Sequence, residues 1–119
     1  MKKYTLFILV AAAAFASCES HTYEDIQDDT VIVGNVTYDA HVKTIIDNNC
    51  ISCHADGGAA SYLPLTNYDE VKTAVQTTDL LSRIQLQNGE DGLMPQTGRM
   101  AQSKIDVILQ WNTDGLLEN

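Results

Sequence analysis

Cys50-Ile51-Ser52-Cys53-His54 is the stretch from which the rest of the chain is read. Two cysteines three residues apart share one face of a helical turn, so both sulfurs reach toward the same side. The histidine that follows at once can turn its imidazole toward whatever the sulfurs hold. Upstream, Thr37 can cap a helix whose apolar face is Tyr38, Val42, Ile45 and Ile46, and that helix runs through Asn48-Asn49 into the motif. Downstream, residues 55–66 contain Gly57, Gly58 and Pro64 and read as a loop. Thr66 or Asn67 is expected to cap a second helix with Val71, Ala74 and Val75; Thr78 or Asp79 opens a third with Leu80, Leu81, Ile84 and Leu86. A second loop over residues 88–100 holds Gly89, Gly92, Pro95 and Gly98. The last helix starts near Ser103, carries Ile105, Ile108, Leu109 and Trp111, and stops near Gly115. With no internal repeat and no strand alternation, the expected fold class is all-α.

The pattern C-x-x-C-H is the attachment signature of c-type haem. On this reading Cys50 and Cys53 form thioethers with the porphyrin vinyl groups, and His54 is the proximal axial ligand of the iron. One covalent haem c is the expected cofactor. It also answers a shortage: a domain of about 85 residues has a modest core, and this chain has only two Phe. Three rival readings use the same residues. Structural zinc would need four ligands, from Cys50, Cys53, His54 and His41, without a second Cys-x-x-Cys or a His pair. A thioredoxin-like pair asks for a strand-helix setting that is missing here. A plain Cys50–Cys53 disulfide needs only an oxidising compartment.

A distal ligand is expected in Gly92-Leu93-Met94-Pro95. Glycine lets the backbone approach a porphyrin edge, proline stiffens the loop, and the soft thioether of Met94 favours Fe(II) and raises the potential. Met100 competes, but just before the last helix it reads as an apolar plug. His41 precedes the motif on the first helix and is placed wrongly for a sixth ligand; His21 is expected in solvent.

At the N-terminus, Lys2 and Lys3 precede an uncharged, largely apolar run from Tyr4 to Ala16, thirteen residues long. At helical rise this reaches only about 20 Å, short for a bilayer span. Small residues follow, Ala16-Ser17, and then Cys18. Residues 1–17 are therefore read as a removable signal peptide. Residues 18–36, acidic and aperiodic from Glu19 to Asp29, are read as a tether, and residues 37–119 as the domain. Removing Lys2 and Lys3 leaves five basic residues against 16 acidic ones, a net charge of −11. Such a surface excludes nucleic acid as a partner and steers toward basic patches on a protein.

Several features together resemble known families. Phe15-Ala16-Ser17-Cys18 resembles a bacterial lipobox, which implies lipidation of Cys18 and a membrane anchor; the acidic segment after it resembles lipoproteins of Bacteroidota. From Tyr38 to Leu116 the chain resembles the short bacterial monohaem domains of class I cytochromes c. These share the stretch seen here as Leu63-Pro64-Leu65-Thr66-Asn67-Tyr68, a Met-Pro loop (Met94-Pro95), and a last helix ending in Trp111 before Gly115. The resemblance implies about four helices and loops wrapped around one covalently attached haem. It implies that Val42 and Ile46 meet Ile108 and Trp111 where the first and last helices cross. It also implies that the Pro64 carbonyl holds the proximal imidazole and that Arg83 and Arg99 are candidates for haem propionates. Export fits, since these families attach haem outside the cytoplasm.

The function expected is a one-electron carrier, not an enzyme, exported to the periplasm or outer membrane of a bacterium, with redox proteins as partners. No paired carboxylates, nucleophile–base pair or phosphate loop calls for catalysis. The alternatives are a haem-based sensor with a labile sixth ligand and an accessory subunit of a periplasmic oxidoreductase. Carbon monoxide binding to the reduced iron separates carrier from sensor.

Overall fold

In a computed structural model of the chain, residues 34–119 are described; the segment read as a signal peptide and Cys18 lie outside them, as does nearly all of the segment read as a tether. Among the described residues there are four helices and no strand. Helix α1 opens with a wide π turn, Tyr38–Val42, and continues as α-helix through Lys43–Asn49. Helices α2 (Tyr68–Thr77), α3 (Leu80–Gln85) and α4 (Gln102–Thr113) follow. The first turn of α1 packs on α4, α4 on α3, and α3 on α2. None of the described helices is long and apolar enough to cross a membrane.

Tyr38, Val42 and Ile46 are buried one turn apart on α1, the stripe that helical periodicity predicts. They join Val71 and Ala74 of α2, Ile84 of α3 and Ile105, Ile108 and Trp111 of α4 in one apolar cluster. The meeting of Val42 and Ile46 with Ile108 and Trp111 is thus met at the level of a shared core. Both phenylalanines, Phe7 and Phe15, precede the described residues. The aromatic part of the core is instead Tyr38, Tyr68 and Trp111, with ring centroids 5.6–6.3 Å apart, a spacing at which tilted and edge-on rings attract. Val36 is also fully buried, and its N–H donates to Asp114 Oδ2 at 2.7 Å. Among the described residues, Val36 is the first that is buried.

One of the expected caps is made differently. Thr37 stands at the N-cap of α1 but makes no side-chain cap bond. The first free amides of the helix, Tyr38 and Asp39, donate instead to the carbonyls of Leu117 and Glu118 at 2.9 and 3.0 Å. Returning C-terminal chain has satisfied the donors that a threonine hydroxyl would otherwise serve. At α3, of the two residues expected there, Thr78 serves through Oγ1, which accepts from Leu80 N at 3.2 Å, while Asp79 at the cap position makes no side-chain cap bond. Asn67 does cap α2: its side chain accepts from Glu70 N at 3.1 Å, while Glu70 reaches back to Thr66 N and Oγ1 at 2.7 and 2.8 Å, a reciprocal arrangement of the capping-box kind. These bonds hold the Glu70 carboxyl below its ordinary range.

Helix α4 begins one residue before Ser103 and ends before Gly115, whose φ of +94° turns the chain back. Leu116 then sits buried at φ +58°, a conformation costly for a branched side chain. Three bonds fix it: Leu116 N donates to Trp111 O, and its carbonyl accepts from Tyr68 Oη at 2.8 Å, while Trp111 Nε1 donates to Leu117 O at 2.8 Å.

Candidate cofactor-attachment site

The C-terminal turn of α1 presents the motif. Cys50 N donates to Ile46 O, and Cys53 N and His54 N both fold back on Cys50 O at 3.1 and 3.0 Å. Cys50, Cys53 and His54 thus lie on one tight turn, as their spacing requires. Both thiols are free; Cys53 is exposed and Cys50 half-buried. Burial pushes the Cys50 thiol up to about 11, so it is a neutral thiol near pH 7.

Residues 55–65 wrap this turn. Ala60 N donates to Cys53 O and Leu65 N to His54 O, each at 2.9 Å. Gly58 lies so close that a β-carbon there would stand 2.3 Å from Cys53 O. Nothing in the local sequence distinguished Gly58 from its neighbour Gly57; the close approach arises from the path of the whole loop.

His54 Nδ1 lies 2.8 Å from the carbonyl of Leu63. A carbonyl can only accept, so Nδ1 carries a proton, and in the neutral ring the lone pair falls to Nε2. The expected carbonyl was that of Pro64. The observed one belongs to the preceding residue, because the loop returns Leu63 over the imidazole and leaves Pro64 exposed. The role is unchanged: a backbone acceptor fixes ring orientation and tautomer, as it does for metal-binding histidines generally.

Met94 is half-buried on the loop between α3 and α4, and its N–H donates to Arg83 O at 3.2 Å. Met100 is buried within the main apolar cluster, the plug role read for it. Arg83 directs Nε to Asp79 at 2.8 Å and Nη1 to Gly92 O at 3.4 Å. Arg99 donates through Nη1 to Met100 O and through Nη2 to Gln102. His41 Nδ1 accepts from Thr37 N at 3.1 Å, so His41 serves the start of α1 and not the motif.

The chemistry of these donors bears on the rival readings. Among the described residues no group of three or more His, Cys, Asp or Glu is arranged to hold a metal, which removes geometric support from zinc. Burial makes Cys50 a weak nucleophile near neutral pH, while Cys53 is exposed. An imidazole with one nitrogen engaged and the other free, beside two free thiols, fits a single axial bond and two covalent ones. Ile45, Ile51, Leu63, Leu80 and Leu81 pack on the core while keeping part of their surface outside it. No protein-family model, curated protein or solved structure matches the chain.

Proposed function

We propose that this chain is a monohaem c-type cytochrome, a one-electron carrier with His54 and Met94 as axial ligands. The observation that carries the reading is the turn itself: Cys50 and Cys53 free, with the His54 imidazole locked through Nδ1 to Leu63. Haem, when bound, supplies one-electron exchange between the ferrous and ferric states. Cys50 and Cys53 hold it covalently, so a small domain cannot lose it. His54 Nε2 is the ring nitrogen left free by the Leu63 bond to Nδ1. Met94, on a loop fastened to α3, is the sixth ligand; two strong protein ligands leave no open position for substrate, so the proposed role is not enzymatic.

The fold proposed with this function is the cytochrome c arrangement, helices and loops wrapped around the haem. Cys18 is proposed as a lipid-modified residue, and the acidic segment after it as a tether to a bacterial periplasmic or outer membrane. Tethering raises the effective concentration of the carrier near membrane redox partners without tight binding. The acidic surface steers those partners through basic patches.

The test is maturation in a host with a cytochrome c assembly system, followed by intact mass and a denaturing haem stain. One haem bound through two thioethers is expected, with Cys50→Ala and Cys53→Ala each retaining one at most. The reduced protein should resist carbon monoxide. Unmodified mass would overturn the reading, and rapid carbon monoxide binding would move it to a sensor.

A further inference from the structure

Arg83 makes two separate connections to the Met94 loop. Its main-chain carbonyl accepts from Met94 N at 3.2 Å, and its Nη1 donates to Gly92 O at 3.4 Å. The segment from residue 92 to residue 94 is thus held at both ends by one residue of α3. Asp79, one turn earlier, accepts from Nε at 2.8 Å and so sets the direction of the guanidinium. Gly92 takes φ +89°, a conformation that L side chains rarely adopt, and a β-carbon there would meet Nη1 at 3.5 Å in ordinary contact. Ile84, the next residue of α3, is buried in the core, so the clamp stands on a fixed element. An exposed Arg–Asp pair at this spacing contributes little to stability in general. Its placement matters here because the second half of the same guanidinium is committed to the loop.

We propose that Arg83 is a positioning residue for Met94, keeping the thioether at the iron, with Asp79 orienting Arg83. The inference rests on the His54/Met94 reading above. It assigns the Arg83 guanidinium to the loop and not to a haem propionate. A planar fork can serve Asp79 and Gly92 together; a lysine at the same place offers one point charge and cannot span both.

Exogenous imidazole competes with Met94 for ferric iron, so its apparent affinity reports how often the thioether is off. In matured protein, Arg83→Ala should tighten apparent imidazole binding by about tenfold, the effect of losing one charge-assisted hydrogen bond. Arg83→Lys should give a smaller tightening, and Asp79→Asn one smaller again. Hydrogen exchange of the Gly92 to Met94 amides should quicken in the same order. In a Met94→Ala background, Arg83→Ala should leave imidazole affinity unchanged, since the competitor is gone. If Arg83→Ala does not mature, Arg83→Lys carries the same comparison. Imidazole affinity that Arg83→Ala leaves unchanged while Met94 is present, or an equal shift in the Met94→Ala protein, overturns the role of Arg83 alone. Covalent haem without any Met94-dependent iron–sulfur band in the unmutated protein overturns the ligation reading and this inference with it.

Discussion

Gly57 and Gly58 stand side by side, and the structure predicts opposite reasons for their intolerance of a side chain. At Gly58 a β-carbon would lie 2.3 Å from Cys53 O, 2.7 Å from Cys53 C and 3.0 Å from Ala55 O. Ordinary contact begins at 3.4 Å, so the Cys53 carbonyl must retreat by about 1 Å, well up the repulsive wall. That carbonyl also accepts from Ala60 N at 2.9 Å, a bond that the retreat would break. Overpacking of about 1–3 kcal/mol and a lost bond of about 1 kcal/mol, less the entropy gained by replacing glycine, leave about 2 kcal/mol for Gly58→Ala. In a domain of this size that is about 10 °C in Tm. Gly57 takes φ +77° and has nothing within 4 Å of a built β-carbon, so Gly57→Ala carries only backbone strain, about 1 kcal/mol. Asparagine tolerates positive φ, so Gly57→Asn should recover much of that loss while Gly58→Asn should recover nothing. Thermal unfolding of matured protein by circular dichroism gives the comparison, with the yield of covalent haem as a second readout that should fall only at Gly58. If Gly58→Ala is no more harmful than Gly57→Ala, or if asparagine rescues Gly58, the described packing of the loop on Cys53 is wrong.

Four further outcomes follow from particular contacts. Tyr68→Phe removes the bond to Leu116 O and the acceptor for Lys72 Nζ and should cost about 1 kcal/mol in a denaturant titration, with no effect on axial ligation. Trp111→Ala, at a fully buried position that also loses the Leu117 bond, should cost about 3–5 kcal/mol and abolish cooperative unfolding if the domain is marginal. In haem-free protein, an alkylating reagent at pH 8 should modify exposed Cys53 first; Cys50 should lag, its rate rising with pH toward about 11, and equal rates would contradict its burial. Glu70 has its folded-state pKa lowered below 4.5 by the Thr66 bonds. Its contribution is therefore present above about pH 4.5 and lost as pH falls through the folded value. Acid titration of Glu70→Gln should show a smaller loss of stability in that window than the unmutated protein.

Local patterns in the sequence carried much of the architecture. The apolar spacing of Tyr38, Val42 and Ile46 and of Ile105, Ile108 and Trp111 located α1 and α4, and Asn67 announced the start of α2. What escaped depends on distant chain. Thr37 looks like a cap, yet the donors it would serve are satisfied by Leu117 and Glu118, eighty residues away. Val36 belongs to the core because Asp114 reaches it. The imidazole acceptor was placed on Pro64 and is Leu63, a shift of one residue that only the path of the loop decides. The resemblance makes Arg83 a candidate for a haem propionate; its engagement with Gly92 and Asp79 depends on how the loop after α3 folds back. Gly58 differed from Gly57 in nothing a sequence displays. The grouping of Cys50, Cys53 and His54 was legible because one helical turn is enough to specify it.

The central claim is covalent haem ligated by His54 and Met94, and optical spectra of matured protein test it most directly, with Met94→Ala and Met100→Ala alongside. The account predicts a reduced c-type spectrum in all three, and an oxidised iron–sulfur charge-transfer band that is lost in Met94→Ala and kept in Met100→Ala. A band that survives in Met94→Ala would contradict the assignment of the sixth ligand, and the absence of covalent haem would contradict the account itself.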